Sequence, residues 1–164
     1  MNPICFTSEE CDRIISLSEK LEIHHSSEWW MGDKTDYFAW HIEKNQENEW
    51  IFDKLTLFLE KNTNFRLLKD IRTIHLQNVK EGNGFEPHID KHSEYNIGVC
   101  LNTDYEGGEL ICHDYKLHIP KTKGLIYSFY GTQLHEVKKV LSGERWSLIA
   151  FLDNNIIERK KGLI

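Results

Sequence analysis

The sequence predicts a mainly β fold with flanking helices, a barrel or jelly roll carrying its helices on one outer face. Two observations predict it. Over roughly the first 60 residues the apolar side chains recur with a helical period, whereas from Ile71 onward short alternating segments are separated by glycine, asparagine and proline turn signals. Helices that precede a run of strands pack against one side of a β core rather than alternating with its strands. A chain of 164 residues, 40% hydrophobic and with five tryptophans, buries such a core without metal or disulfide staples. No internal repeat, low-complexity tract or linker divides it. The organisation expected is one domain over 1–164, with an N-terminal helical and lid region at about 1–70 and a jelly-roll core at about 71–153.

In order along the chain, Thr7-Ser8-Glu9-Glu10 reads as a capping box opening a helix whose apolar face is Cys11, Ile14, Ile15, Ser18 and Leu21. A second amphipathic helix is expected from about Gln46 to Lys61, where Trp50, Ile51, Leu55, Phe58 and Leu59 recur at helical spacing. Between them Tyr37 to Glu43 reads as a strand, leaving Ser26 to Asp36 as a loop. The polar and aromatic stretch Trp29 to Tyr37 is a candidate lid, because long functional loops cover active sites. The tail Glu158 to Gly162 reads as a solvated basic end.

The chemistry is concentrated in His88, Asp90 and His135. Two imidazoles and a carboxylate on one face of Fe(II) leave its remaining positions open for a co-substrate and O₂. An H-x-D pair needs a strand, where residues i and i+2 share a side. The pattern H-x-[DE] occurs three times, at His41, His88 and His92, so context must choose. Only His88 follows a glycine-punctuated loop, Glu81 to Pro87, and precedes an alternating strand, a Gly107-Gly108 turn and further strands. His135 opens Leu134-His135-Glu136-Val137 just after the apolar run Gly124-Leu125-Ile126-Tyr127-Ser128-Phe129; ten residues after His135 stands Arg145, then Trp146 and Ser147, with Arg145 and Ser147 on one strand face. A buried guanidinium beside a hydroxyl is a clamp for a carboxylate. His113 and Lys123 show the same ten-residue spacing, but Pro120 interrupts it and Lys123 stands at the start of a strand rather than within one.

These residues carry a family resemblance. From Ile71 to Asp153 the chain resembles the iron(II)- and 2-oxoglutarate-dependent oxygenases, most closely their prolyl 4-hydroxylase-like branch. The matching pieces, in order, are Gly82-x-x-Phe85-x-x-His88-x-Asp90, Leu101-Asn102-x-x-Tyr105-Glu106-Gly107-Gly108-Glu109-Leu110, His135-Glu136-Val137 and Gly143-Glu144-Arg145-Trp146-Ser147-Leu148. The resemblance implies a double-stranded β-helix (jelly roll) core in which the two histidine strands are neighbours and the arginine strand lies in the facing sheet. Sheets pack roughly 10 Å apart, a gap that side chains, iron and a five-carbon diacid can bridge. It implies Fe(II) held by His88, Asp90 and His135, with 2-oxoglutarate and O₂ as co-substrates, Arg145 and Ser147 on the far carboxylate, and ascorbate as a candidate reductant. Where relatives place tyrosines that hold the co-substrate, this chain has Val79 and Cys100; Gln77 and Asn96 are the polar groups on the corresponding faces.

The implied reaction converts 2-oxoglutarate to succinate and CO₂ while hydroxylating an unactivated carbon. A prolyl residue of a peptide or protein is the expected target, with a free amino acid or other small metabolite as the alternative. A jelly-roll module that holds metal without turnover is a third reading, against which an anion clamp argues. The formal net charge of −6 and pI near 5.8 give no electrostatic reason to expect a nucleic-acid partner. The cysteines at 5, 11, 100 and 112 show neither C-x-x-C nor zinc spacing and read as small apolar residues in a reducing compartment. With no membrane-spanning run and no signal-peptide pattern, a cytoplasmic location is expected.

Overall fold

The structure, a computed structural model, describes residues 3–23, 28–30, 33–35 and 37–162. It contains the expected mainly β core with its helices on one face. A five-stranded antiparallel sheet runs in the spatial order Ile126–Tyr130, Tyr95–Cys100, Arg145–Leu152, Thr73–Val79, Tyr37–Glu43. A four-stranded sheet has the order Leu117–His118, Leu110–Cys112, His135–Val137, Phe85–His88. We call these the major and minor sheets. From Thr73–Val79 onward the chain crosses back and forth between them, with Leu110–Cys112 and Leu117–His118 paired within the minor sheet, the arrangement of a jelly roll. Tyr37–Glu43 pairs along its whole length with Thr73–Val79, so the major sheet extends into the region that sequence patterning allots to the helices.

Strand alternation gives the major sheet two different faces. Trp146, Leu148, Ala150 and Leu152 point outward with Ile74, Leu76, Ile97 and Val99 and join one buried core with the helices. Their alternates Arg145, Ser147, Ile149 and Phe151 point inward and line a cavity. The same period-two rule turns Gln77 and His75 inward on the neighbouring strand. A one-residue slip of the central strand would exchange the guanidinium of Arg145 for the indole of Trp146, so packing against the helices also sets the register of the inner face.

The first helix, Ser8–Ser16, has the predicted capping box: Glu10 N donates to Thr7 Oγ1 at 3.1 Å and Thr7 N donates to Glu10 Oε1 at 2.8 Å. It stops at Ser16 and tightens into a 3₁₀ turn over Leu17–Glu19, short of the Leu21 expected from apolar spacing. The hydroxyls of Ser16 and Ser18 donate to the carbonyls of Arg13 and Ile15, a local bonding pattern that competes with a continued α-helix. The second helix spans Glu49–Asn62 rather than beginning at Gln46. Asn45 Oδ1 accepts from the backbone N–H groups of Glu47 and Asn48, an Asx turn that takes these residues out of the helix. Ile51, Phe52, Leu55 and Leu59 bury against the major sheet. No helix among the described residues is long and apolar enough to cross a membrane.

Three expectations are revised. Within Ser26 to Asp36, Glu28–Trp30 pairs with Asp33–Thr35 in a short antiparallel ladder, in keeping with the β propensity of its tryptophans. The side chains of Trp29 and Trp30, on which a lid would depend, lie outside the described residues. The basic tail is not simply solvated: Ile157–Arg159 pairs with Phe65–Leu67, and Lys160 Nζ donates to the carbonyls of Glu60 and Thr63 at the end of the second helix. A cation there complements the negative end of the helix dipole. Of the four free cysteines, Cys11, Cys100 and Cys112 are buried as expected and Cys5 is exposed.

Leu148 is fully buried on the helix side of the central strand. Leu148→Ala should lower unfolding free energy by about 2–5 kcal/mol, read as a lower urea midpoint with an unchanged slope.

Candidate active site

His88 ends one strand of the minor sheet, His135 begins the next, and the two are direct cross-strand partners. Their ring centroids lie 4.3 Å apart. Asp90 follows two residues after His88, and its backbone N–H donates to the Gly131 carbonyl at 2.7 Å, which ties the turn carrying the carboxylate to the loop before His135. Each of the three residues brings one candidate ligand atom within 4.8 Å of the others. His88 Nδ1 lies 2.6 Å from the Glu86 carbonyl and His135 Nδ1 lies 2.7 Å from the Gln133 carbonyl. A carbonyl can only accept, so both Nδ1 atoms carry the proton. Each Nε2 faces Asp90, 3.5 Å from Oδ1 for His88 and 3.3 Å from Oδ2 for His135, placed to share a proton with the carboxylate in the metal-free protein and to give its lone pair to a metal that displaces that proton. Neutral imidazoles of defined tautomer and an ionised carboxylate are what a divalent iron requires of its ligands.

The carboxylate is prepared in the same way. Burial alone would raise the Asp90 carboxyl, but the imidazoles of His135 and His88, the His135 charge and the Asn96 amide hold it well below the usual carboxylate range. Asn96 was the expected co-substrate contact on its strand, and the structure corrects this. Its Nδ2 donates to Asp90 Oδ2 at 2.6 Å while its Oδ1 accepts from Ser93 Oγ at 2.5 Å. It therefore stands behind the carboxylate. Period-two reasoning assigns the right face to Asn96 but cannot locate a partner that arrives from a turn after another strand.

Across the cavity, Arg145 is buried at the start of the central strand. Its Nε donates to the Gly108 carbonyl and its Nη1 to Ser147 Oγ, both at 3.1 Å. Gly108 has φ of +67° and no room for a side chain, since an added Cβ would stand 2.9 Å from Tyr105 Cε2 and 3.3 Å from Arg145 Cδ. Asn102, from the Leu-Asn pair, brackets the arginine. Its Nδ2 donates to the Glu144 carbonyl at 2.8 Å, and its Oδ1 accepts from Trp146 N at 2.8 Å. The motif residues thus fix one guanidinium in place.

The histidines, Asp90, Arg145 and Ser147 open onto one cavity of about 240 Å³ between the sheets. Gln77, opposite Ser147 on the adjacent strand, lines it as well. The alternative clamp is absent: Lys123 Nζ is paired with Asp12 at 2.7 Å, and His113 Nε2 lies 2.9 Å from Glu136 Oε2. Tyr127 lines the cavity, although reading along the chain assigned it only to an apolar run. A signal was present in its strand partner Gly98, which carries no side chain on the same face.

Residues 74–153 match the family model of the 2OG-Fe(II) oxygenase superfamily. No curated protein matches the sequence. Solved structures share the fold at low identity. The viral collagen prolyl hydroxylase of Paramecium Bursaria Chlorella virus-1, in its 2OG complex, aligns with a TM-score of 0.67 and 18% identity, covering 96% of this chain and 93% of its own. A Pseudomonas putida prolyl-4-hydroxylase gives 0.61 and 16%, covering 94% and 84%. A Trichoplax adhaerens prolyl hydroxylase, in complex with a hypoxia inducible factor oxygen degradation domain peptide fragment, gives 0.64 and 14%, covering 89% and 78%. Residues 74–153 thus match the 2OG-Fe(II) oxygenase superfamily, the chain shares the fold of prolyl hydroxylases, and this match together with a donor set suited to iron implies Fe(II) as cofactor with 2-oxoglutarate and O₂ as co-substrates.

Proposed function

We propose that this oxygenase hydroxylates a prolyl residue of a peptide or protein, with His88, Asp90 and His135 as iron ligands and Arg145 with Ser147 holding the far carboxylate of 2-oxoglutarate. The observation that carries the reading is the placement of the clustered ligand atoms and the anchored guanidinium on facing walls of one cavity. Held by His88, Asp90 and His135, Fe(II) would supply the activation of O₂, the oxidant, whose two atoms would go one into succinate as 2-oxoglutarate loses CO₂ and the other into the hydroxyl of the product.

The chain's own residues do the rest. His88 and His135 turn Nε2 toward the metal by donating Nδ1–H to backbone carbonyls. Asn96 holds one oxygen of Asp90, orienting the carboxylate. Arg145 presents a fixed positive charge from within the cavity, where little water screens it. Phe85, Phe129 and Phe151 narrow the space around the histidines with apolar surface and exclude water from the reacting centre. Phe129 stands edge-on to the His135 ring at 4.8 Å between centroids.

A prolyl target is supported by the fold shared with three prolyl hydroxylases, one of them bound to a peptide. It is also supported by the surface beside the metal ligands. A second depression, formed by residues 88–93 and Phe151, adjoins His88 and Asp90 and exposes Ile89. An open, partly apolar shelf at the reacting centre suits an extended chain better than a free amino acid, which the enclosed cavity would surround.

Alanine at His88, Asp90 or His135 is expected to abolish O₂-dependent succinate formation while circular dichroism stays native. Activity at the wild-type level, with iron still bound, would remove that residue from the ligand set. Arg145→Ala should weaken 2-oxoglutarate binding at least tenfold, because truncating one partner of a desolvated charge pair costs ~2–5 kcal/mol. Iron binding should change far less, and equal losses of both would argue for collapse of the site instead. Mass spectrometry after incubation with proline-rich peptides should show one oxygen added on proline. Oxygen gained only by free amino acids or metabolites would turn the assignment to a small-molecule hydroxylase.

A further inference from the structure

Val79 and Cys100 occupy the positions where the resemblance leads one to expect co-substrate tyrosines, and neither brings a comparable hydrogen-bonding group. Val79 is fully buried, and the Cys100 thiol donates to the Asn102 carbonyl at 3.2 Å. A phenol nevertheless reaches this end of the cavity from another strand. Tyr127 lies directly opposite Gly98 in the major sheet, and its ring is folded over that glycine. A Cβ on Gly98 would stand 2.3 Å from Tyr127 Cζ and 2.5 Å from its hydroxyl. The missing side chain is therefore what gives the ring a seat on the inner face, where it lines the same cavity as Arg145 and Ser147.

Two further observations fix what the hydroxyl meets. Tyr127 lines the same cavity as Arg145 and Ser147, and the guanidinium's positive charge acts on the phenol. Burial pushes the phenol above its ordinary range, with the guanidinium opposing, so the group stays an O–H donor at neutral pH. On the same strand face Phe129 contacts His135 at the metal end. Tyr127 stands two residues away from it, roughly 7 Å along the strand. That span takes a five-carbon 2-oxo diacid from chelation near the histidines to a carboxylate beside Arg145.

We propose that Tyr127 donates its hydroxyl to the far carboxylate of 2-oxoglutarate alongside Arg145, supplying from the neighbouring strand the phenol absent at Val79 and Cys100. Tyr105 contributes from behind. It packs against Gly108 and its phenol is also close to Arg145, but it does not line the cavity, and it acts as a positioning residue for the guanidinium.

The inference rests on the co-substrate assignment above, and one titration separates the two. 2-Oxoglutarate is added to anaerobic Fe(II)-loaded wild-type and Tyr127→Phe protein, following the visible absorption of the chelate. 2-Oxovalerate, which keeps the 2-oxo acid end but lacks the far carboxylate, is run in parallel. Tyr127→Phe keeps the buried ring and removes only the hydroxyl. Affinity for 2-oxoglutarate should fall about tenfold, as expected when a hydrogen bond to a charged group is lost, with 2-oxovalerate affinity unchanged. Unchanged or tighter 2-oxoglutarate binding would overturn the proposal, as would an equal loss for both acids. If wild-type protein forms no chelate with 2-oxoglutarate, the co-substrate assignment fails first and this inference with it.

Discussion

A guanidinium enclosed between two sheets is the constraint around which the catalytic half of this chain is organised. A buried cation must have its donors satisfied and its position held, or its desolvation would cost several kcal/mol. Here one donor is met by the carbonyl of a glycine in a left-handed turn and another by a serine on the same strand face. The asparagine of the Leu-Asn pair grips the backbone on both sides of the arginine. Two motif segments separated in sequence, Leu101–Leu110 and Gly143–Leu148, thus converge on a single side chain, and the remaining guanidinium surface is left to face the cavity.

The metal end is organised by a different principle. Its imidazoles sit opposite each other in an antiparallel ladder, so backbone hydrogen bonding sets their separation. Backbone carbonyls fix both tautomers, and the Ser93–Asn96–Asp90 chain orients the carboxylate. Little rearrangement is needed for the three groups to converge on an ion. The cavity joins a preset donor cluster to a preset charge, with apolar rings between them.

Much of this was legible in the sequence because it depends on local periodicity. His88 and Asp90 do meet at one site as their spacing suggests, although the strand stops at His88 and Asp90 stands in the turn beyond it rather than on the same strand face. Arg145 and Ser147 do share a strand face, and the Gly107-Gly108 pair announces the turn that Arg145 needs. The remainder depends on neighbours that spacing along one strand cannot reveal. Asn96 was assigned to the correct face, yet its partner comes from a turn after a different strand. Tyr127 read as one apolar residue among several because its environment is set by a glycine on the strand beside it. The start of the second helix was misplaced for a smaller reason: an Asx turn at Asn45 captures backbone donors that the apolar pattern assigns to the helix.

The close seating of Tyr127 on Gly98 bears on how this site can vary. Any side chain at position 98 would displace the ring, and a smaller residue at position 127 would leave an unfilled hollow on the inner face. Neither position is then free to drift alone. A lineage that gained a side chain at 98 would have to change 127 in step, so among descendants of this sequence the two positions should covary even though each, viewed singly, looks like ordinary sheet packing.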